Sequence, residues 1–200
     1  MRTVAAAIIA GGQARRLGGL SKPLIEIDGR TIADRQLAVL RPLFGRVFAV
    51  ANDPAPWRAL DVEVVPDRVV GAGPFAGLAA ALAAAGDAEA VVCVAGDLPF
   101  LAPPLMAALR DTPPAARAVA PRPAGRPEPL CARYSAELGV LVEARLQTGR
   151  LALHALLEAT ETTWLDDAAL AALDPAGLSF FNVNTPDDLR RAEQIVRQVP

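Results

Sequence analysis

The groups best suited to chemistry begin early in the chain. In AIIAGGQARRLGGLSKPL, residues 7–24, an apolar run breaks into two glycine pairs, Gly11-Gly12 and Gly18-Gly19, with Arg15 and Arg16 between them and Lys22 just after. Glycines let backbone N–H groups approach a ligand closely, and three cations favour an anion, so this stretch suits a phosphate cradle. Asp67 follows VEVV and Asp97 follows VVCVAG. A basic loop with one or two carboxylates matches what a nucleoside triphosphate with Mg²⁺ requires, because that ion takes one or two carboxylates together with substrate phosphates. Asp97 is the first choice for the metal. At about 5 Å and an effective dielectric near 20, two unit charges interact by roughly 3 kcal/mol, so Lys22 and a neighbouring arginine would weigh heavily on a bound phosphate. Near the end of the chain Asn182 and Asn184 stand two residues apart, and their amides offer both donors and acceptors.

Two familiar phosphate loops are excluded by spacing. G-x-x-x-x-G-K-[ST] needs lysine directly after glycine, whereas Leu20 and Ser21 separate Gly19 from Lys22. G-x-G-x-x-G fails because Gly11 and Gly12 are adjacent. Nucleophilic triad chemistry has little material either: the chain has one histidine, His154, within LALHALLE, where a helix-surface or packing role fits best.

The elements that must position these groups follow from hydrophobic pattern. Residues 4–10, 47–51, 62–65 and 90–95 are continuous apolar runs, which reads as strands covered on both faces. Helical stretches alternate with them at 31–43, 75–85 and 103–110, the last opening on proline, which the first helical turn tolerates. Strand and helix in alternation predict an α/β chain with a mostly parallel central sheet. In such a sheet ligands bind beyond the carboxyl ends of the strands, and the glycine-arginine loop, Asp67 and Asp97 all fall on that edge.

The second half reads less regularly. Residues 118–120 and 129–134 flank the turn-rich PRPAGRPE and predict two antiparallel strands; 136–147 and 151–158 read as helices, and 162–165 and 180–183 as short strands. If 180–183 is extended, Asn182 and Asn184 point the same way. Thr185, Pro186 and Asp188 mark the start of the last helix with a capping box. Arg122, Arg126 and Arg133 offer a way to steer an anionic acceptor, against the plainer reading as solvated charges beside a turn.

Composition bounds the rest. Two hundred residues suit one buried domain, spanning 1–200, and a net charge of −2 supplies no overall positive field for nucleic acid. Cys93 and Cys131 lie in apolar stretches without C-x-x-C spacing, which fits a reducing cytoplasm; no stretch of about 18 uncharged apolar residues predicts a membrane span. The apolar run of MRTVAAAIIA is short for a signal peptide and leads to an Arg-Arg pair without a clear cleavage site.

Taken in order, IIAGGQARRLGGLSK, GRTI, Asp67 before GAGPFAGLAAAL, GDLPFL, PEPLCARY and FFNVNTPDDL resemble the molybdenum cofactor guanylyltransferase family over essentially the whole chain. The resemblance implies a single-domain Rossmann-like nucleotidyltransferase fold, GT-A-like, built as a three-layer sandwich. It also implies Mg-dependent transfer of GMP from GTP to the phosphate of molybdenum-molybdopterin, with pyrophosphate leaving and molybdoenzyme-maturation proteins as further partners. By position, Ala10, Gly11, Gly12, Arg15, Lys22, Asp67 and Asp97 would hold the nucleotide, and Asp97 the Mg²⁺. Lys22, Asp97 and Arg16 would serve catalysis, and Asn182 and Asn184 the acceptor. Ser21 departs from the pattern, standing where the family has an acidic residue. A cytidylyltransferase for the same cofactor, a sugar-phosphate nucleotidyltransferase and a catalytically silent nucleotide-binding regulator are the alternatives. Relatives of the cytidylyl type tend to show A-A-G where this chain has Ala10-Gly11-Gly12, which points toward GTP.

Overall fold

The strand β1, Val4–Ile9, sets the layering. Its VAAAII sequence puts small side chains at the centre of a sheet, where helices must cover both faces. Ala5, Ala7 and Ile9 enter one apolar core, and Ala6 and Ile8 enter the other. The computed structural model describes residues 3–10, 22–67, 69, 73–113 and 116–198.

The first half delivers the predicted alternation. A small antiparallel pair, β2 Glu26–Ile27 and β3 Arg30–Thr31, precedes α1, Ile32–Leu40. Thr31 caps this helix, accepting from the Asp34 backbone N–H while the Asp34 carboxylate reaches back to the Thr31 N–H. Then come β4 Val47–Val50, β5 Glu63–Val65, α2 Gly73–Ala83, β6 Ala90–Ala95 and α3 Pro103–Asp111. The second half holds β7 Ala118–Pro121, β8 Cys131–Ser135, α4 Gly139–Gln147, α5 Leu153–Glu158, β9 Thr162–Leu165, α6 Asp167–Leu173 and α7 Pro186–Gln198.

Seven strands form one sheet in the order β5-β4-β1-β6-β8-β7-β9. The pairs β5-β4, β4-β1, β1-β6 and β7-β9 are parallel, while β8 runs antiparallel to both β6 and β7. The carboxyl ends of the other six strands therefore share one edge, and β8 enters the sheet there. Helices α2, α4 and α5 bury Phe75, Leu78, Val142 and Leu156 on one face; α1, α3 and α6 bury Leu37, Leu105, Met106 and Leu170 on the other. This is the mostly parallel α/β sheet that the pattern predicts, in the three-layer sandwich that the resemblance implies.

The last helix makes a smaller core of its own. Ile25, Ile27 and Ile32 around the β2-β3 pair pack with Val183 and Ala192, and Phe100, Phe181, Leu189 and Val196 lie against them. The chain's end is thereby brought beside the segment that follows β6. One expectation is corrected: residues 180–183 are not a strand. A short 3₁₀ turn, Leu178–Phe180, ends there, and the Phe181 N–H bonds back to Leu178 O rather than to a neighbouring strand.

Candidate active site

The site is assembled by close backbone approach between three chain segments. At the end of β1, Ile9 O accepts from the Gly96 N–H at 3.0 Å, and the Ala10 N–H donates to Val50 O at 2.9 Å. Lys22 opens a 3₁₀ turn, Lys22–Leu24, whose buried Pro23 rests on Gly96. A Cβ placed on Gly96 would stand 2.6 Å from Pro23 Cγ and 3.3 Å from Ile9 O, so only glycine fits without displacement. This contact carries Lys22 to Asp97, and its Nζ donates to Asp97 Oδ2 at 2.8 Å. Both side chains are largely withdrawn from solvent, at 24% and 14% exposure, which leaves the pair less screened than a surface ion pair.

Around this pair opens a cleft of about 600 Å³, including the solvent at its mouth, lined among others by Ile9, Ala10, Lys22, Asp67, Gly77 and Asp97. Four sequence-predicted residues, Ala10, Lys22, Asp67 and Asp97, thus meet at the carboxyl edge of the sheet. Asp67 follows β5 and has a local duty as well: its Oδ1 accepts from the Val69 N–H at 3.0 Å, holding the turn. Asp97 makes no such turn-capping bond among the described residues, and its carboxylate engages a cation instead. A basic group and two carboxylates facing one cleft can bind a polyphosphate through the ammonium and a divalent cation through a carboxylate.

The asparagines divide. Val183 is buried and its N–H donates to Asp97 O at 3.0 Å, which fixes the neighbouring residues beside the cleft. Asn184 Oδ1 accepts directly from Lys22 Nζ. The Asn184 N–H is held by Asp188 Oδ2 at 3.0 Å, in the same capping network in which the Asp188 N–H donates to Thr185 Oγ1. The bonds donated to its carboxylate, by the Asn184 N–H first and then by the Thr185 hydroxyl and N–H, hold the Asp188 carboxyl below its ordinary value of 3.8. Asn182 is exposed like Asn184, but its Nδ2 donates to Phe180 O at 3.3 Å; neither asparagine lines the cleft itself, and Asn184 reaches it through Lys22. The common orientation expected of the two amides rested on an extended 180–183 segment, and that segment is no strand.

Gly11, Gly12, Arg15, Arg16 and Ser21 lie outside the described residues. Arg133 is corrected: it does not face an acceptor but is 1% exposed within the sheet, 3.9 Å from Glu89 and 3.4 Å from Ala116 O, at the edge opposite the cleft. Arg122, at the end of β7, lies over the Trp164 ring at 4.4 Å. His154 is exposed on α5, in keeping with a surface role. Cys93 and Cys131 are free and buried, and burial pushes the Cys93 thiol up to about 12, so it stays protonated and unreactive. The rim also carries Asn52, exposed just beyond β4, where the Ala51 N–H bonds to Val65 O. No motif in the sequence singles Asn52 out; only the strand order reveals its place.

Comparison with known proteins gives a consistent result. The sequence profile of the MobA-like NTP transferase domain matches residues 6–163. A molybdenum cofactor guanylyltransferase of Desulfosudis oleivorans is 30% identical over 201 residues, covering 98% of each chain. One of Mesorhizobium japonicum is 35% identical, covering 99% of this chain and 98% of that one. The crystal structure of molybdopterin-guanine dinucleotide biosynthesis protein A from Archaeoglobus fulgidus superposes with a TM-score of 0.83 at 29% identity, over 98% of this chain and all (100%) of the other.

Proposed function

The chain belongs to the MobA-like NTP transferase family, and from that premise we propose that it transfers GMP from GTP to the phosphate of molybdenum-molybdopterin, releasing pyrophosphate. The observation that carries the reading is the convergence of Lys22, Asp67 and Asp97 on one cleft at the carboxyl edge of the sheet. Near-full-length relatives named for this activity, at 30% and 35% identity, support the choice of GTP and molybdopterin.

In this reading the nucleotide lies across the end of β1. Ala10, Gly11 and Gly12 would hold the nucleotide with Lys22, and Lys22, Arg15 and Arg16 would balance its charge, Arg16 serving catalysis with Lys22 and Asp97. Asp67 holds the nucleotide from the β5 side. Asp97 is the carboxylate for Mg²⁺. The donor set fits: among the described residues no group of three or more His, Cys, Asp or Glu could hold an ion alone, whereas one carboxylate with phosphate oxygens is the usual arrangement for Mg²⁺. When bound, the ion would neutralise triphosphate charge and polarise the phosphate under attack.

The step itself needs no base. An acceptor phosphate monoester has its second pKa near 6 and is already an anion near neutral pH. Its oxygen attacks the α-phosphorus in line, forming the new P–O bond as the bond to the bridging α,β oxygen breaks, and pyrophosphate carries the electron pair away. What the protein contributes is alignment of two anions and cancellation of their repulsion. Asn182 and Asn184 would bind the pterin side of the acceptor. The reaction belongs in the cytoplasm, with molybdoenzyme-maturation proteins receiving the product; the free buried cysteines suit that compartment, and no described helix is long and apolar enough to cross a membrane.

Pyrophosphate release with GTP, CTP, ATP and UTP, each with and without molybdopterin and Mg²⁺, tests the reading. Release with GTP only when molybdopterin and Mg²⁺ are both present is the expected result. Release with CTP alone would replace the guanylyl assignment, and release with none would leave a nucleotide-binding regulator.

A further inference from the structure

One ammonium connects the cleft's carboxylate to the segment that precedes α7. Lys22 Nζ donates both to Asp97 Oδ2, at 2.8 Å, and to Asn184 Oδ1, joining residues 75 and 162 positions away in sequence. Neither partner is free to drift. Asp97 O holds the Val183 N–H at 3.0 Å, and Asp188 Oδ2 holds the Asn184 N–H at 3.0 Å, so the main chain that carries the carboxylate and the amide is fixed on either side of the lysine. We propose that Lys22 is an exchangeable internal cation, whose transfer from Asp97 to the triphosphate opens Asp97 to the metal and, in the same event, uncovers the Asn184 carbonyl for the acceptor. This rests on the proposed nucleotidyl transfer and gives it an order: nucleotide and metal first, acceptor second.

The physical argument is competition for donors and acceptors. An ammonium has three N–H donors and no acceptor, and two are committed here. A divalent ion and an ammonium on one carboxylate repel, and Lys22 already occupies Asp97 Oδ2, so the ion binds this carboxylate more tightly once the lysine leaves it. A triphosphate supplies the lysine with a stronger partner, since charge-assisted bonds to phosphate replace one to a shared carboxylate. Once the lysine swings away, Asn184 Oδ1 loses its donor and becomes an acceptor able to take an N–H from a polar heterocycle. Asn184 is therefore a positioning residue for Lys22 before it meets the acceptor.

Two measurements on the full chain test this. The first follows Mn²⁺ binding without nucleotide, by the electron paramagnetic resonance of free Mn²⁺, in wild type, Lys22→Met and Lys22→Met/Asp97→Asn. Removing the internal cation should tighten Mn²⁺ binding by about tenfold or more, and the second substitution should cancel the gain. Equal binding by wild type and Lys22→Met, or none by either, overturns the proposal. The second measurement uses wild type and so survives any folding defect in the variants. The Asn184 side-chain NH₂ resonance, identified by its loss in Asn184→Leu, should shift on adding Mg²⁺ with the α,β-methylene analogue of GTP and no acceptor. A resonance unmoved at saturating nucleotide overturns the proposal. Running the CTP analogue alongside separates the two levels: a response to CTP alone would end the guanylyl assignment and leave the lysine exchange standing.

Discussion

Gly96→Ala should damage catalysis more than stability. The added Cβ would lie 2.6 Å from Pro23 Cγ, 3.3 Å from Ile9 O and 3.5 Å from Ala10 Cα. Ordinary contact begins near 3.4 Å, so Pro23 must retreat by about 0.8 Å. Ile9 cannot yield instead, because its strand is paired on both sides, by β4 and by β6. The displacement therefore falls on the Lys22–Leu24 turn and is passed to the lysine. Overpacking of this kind costs roughly 1–3 kcal/mol, and in a chain of this size each kcal/mol lowers the melting temperature by about 2–4 °C. A misplacement of about 1 Å in a group that positions substrate costs on the order of a hundredfold in rate. The assay is kcat/KM for GTP-dependent pyrophosphate release, beside a calorimetric melting temperature, with Gly45→Ala as control because nothing lies within 4 Å of its added Cβ. Pro23→Ala removes the clashing Cγ, so the double variant should recover part of the lost rate. Wild-type kcat/KM in Gly96→Ala, or no recovery in the double variant, would refute the reasoning.

Asp97→Ala should lower metal-dependent turnover by at least about 10²-fold, while losing only a partly screened ion pair worth about 1 kcal/mol or less in stability; full turnover would remove Asp97 from the mechanism. Asp188 titrates below its ordinary value of 3.8 because it is bonded to the Asn184 N–H and the Thr185 hydroxyl and N–H, so its contribution is complete above 3.8 and fades as pH falls below it toward the lower folded value. Amide hydrogen exchange of α7 should rise over that acidic window in wild type, and Asp188→Ala should flatten the dependence at a cost of about 1 kcal/mol at neutral pH. Gly77→Ala would set a Cβ 2.5 Å from Ile9 Cγ2, and since an isoleucine rotamer is stiff, urea unfolding should register a loss of roughly 1–3 kcal/mol.

The first half of the fold was legible because its strands are buried on both faces and therefore apolar without interruption; β1, β4, β5 and β6 fall within a residue or so of the predicted runs. Parallel pairing then placed Asp67 and Asp97 on one edge with no motif needed. Helix α6, with its DAALAAL sequence, was not predicted; Asp166 caps it by accepting from the Ala169 N–H, a signal available in sequence but weak beside the irregular stretch around it. Residues 180–183 read as a strand because Phe180, Phe181 and Val183 are bulky and apolar, yet among the described residues no strand pairs with them; the N–H groups of Phe181 and Val183 bond to Leu178 O and Asp97 O. The contact of Lys22 with Asn184 had no sequence signal at all. It depends on α7 docking against the β2-β3 pair, a tertiary event that brings together segments far apart in the chain.

The single reversed strand has a consequence for how such an enzyme can change its selectivity. Because β8 runs against its neighbours, the connection of residues 122–130 leaves the sheet and returns to it on the same rim, and Leu130 reaches the cleft. Every parallel crossover must instead travel the length of a face and return from the opposite edge. This arch begins and ends on that rim, so it can be lengthened or rewritten without threading new chain past a packed layer, and doubling its length would cost only about 0.6 kcal/mol in closure entropy. It is a natural place to rewrite selectivity, because its last residue, Leu130, lines the cleft itself.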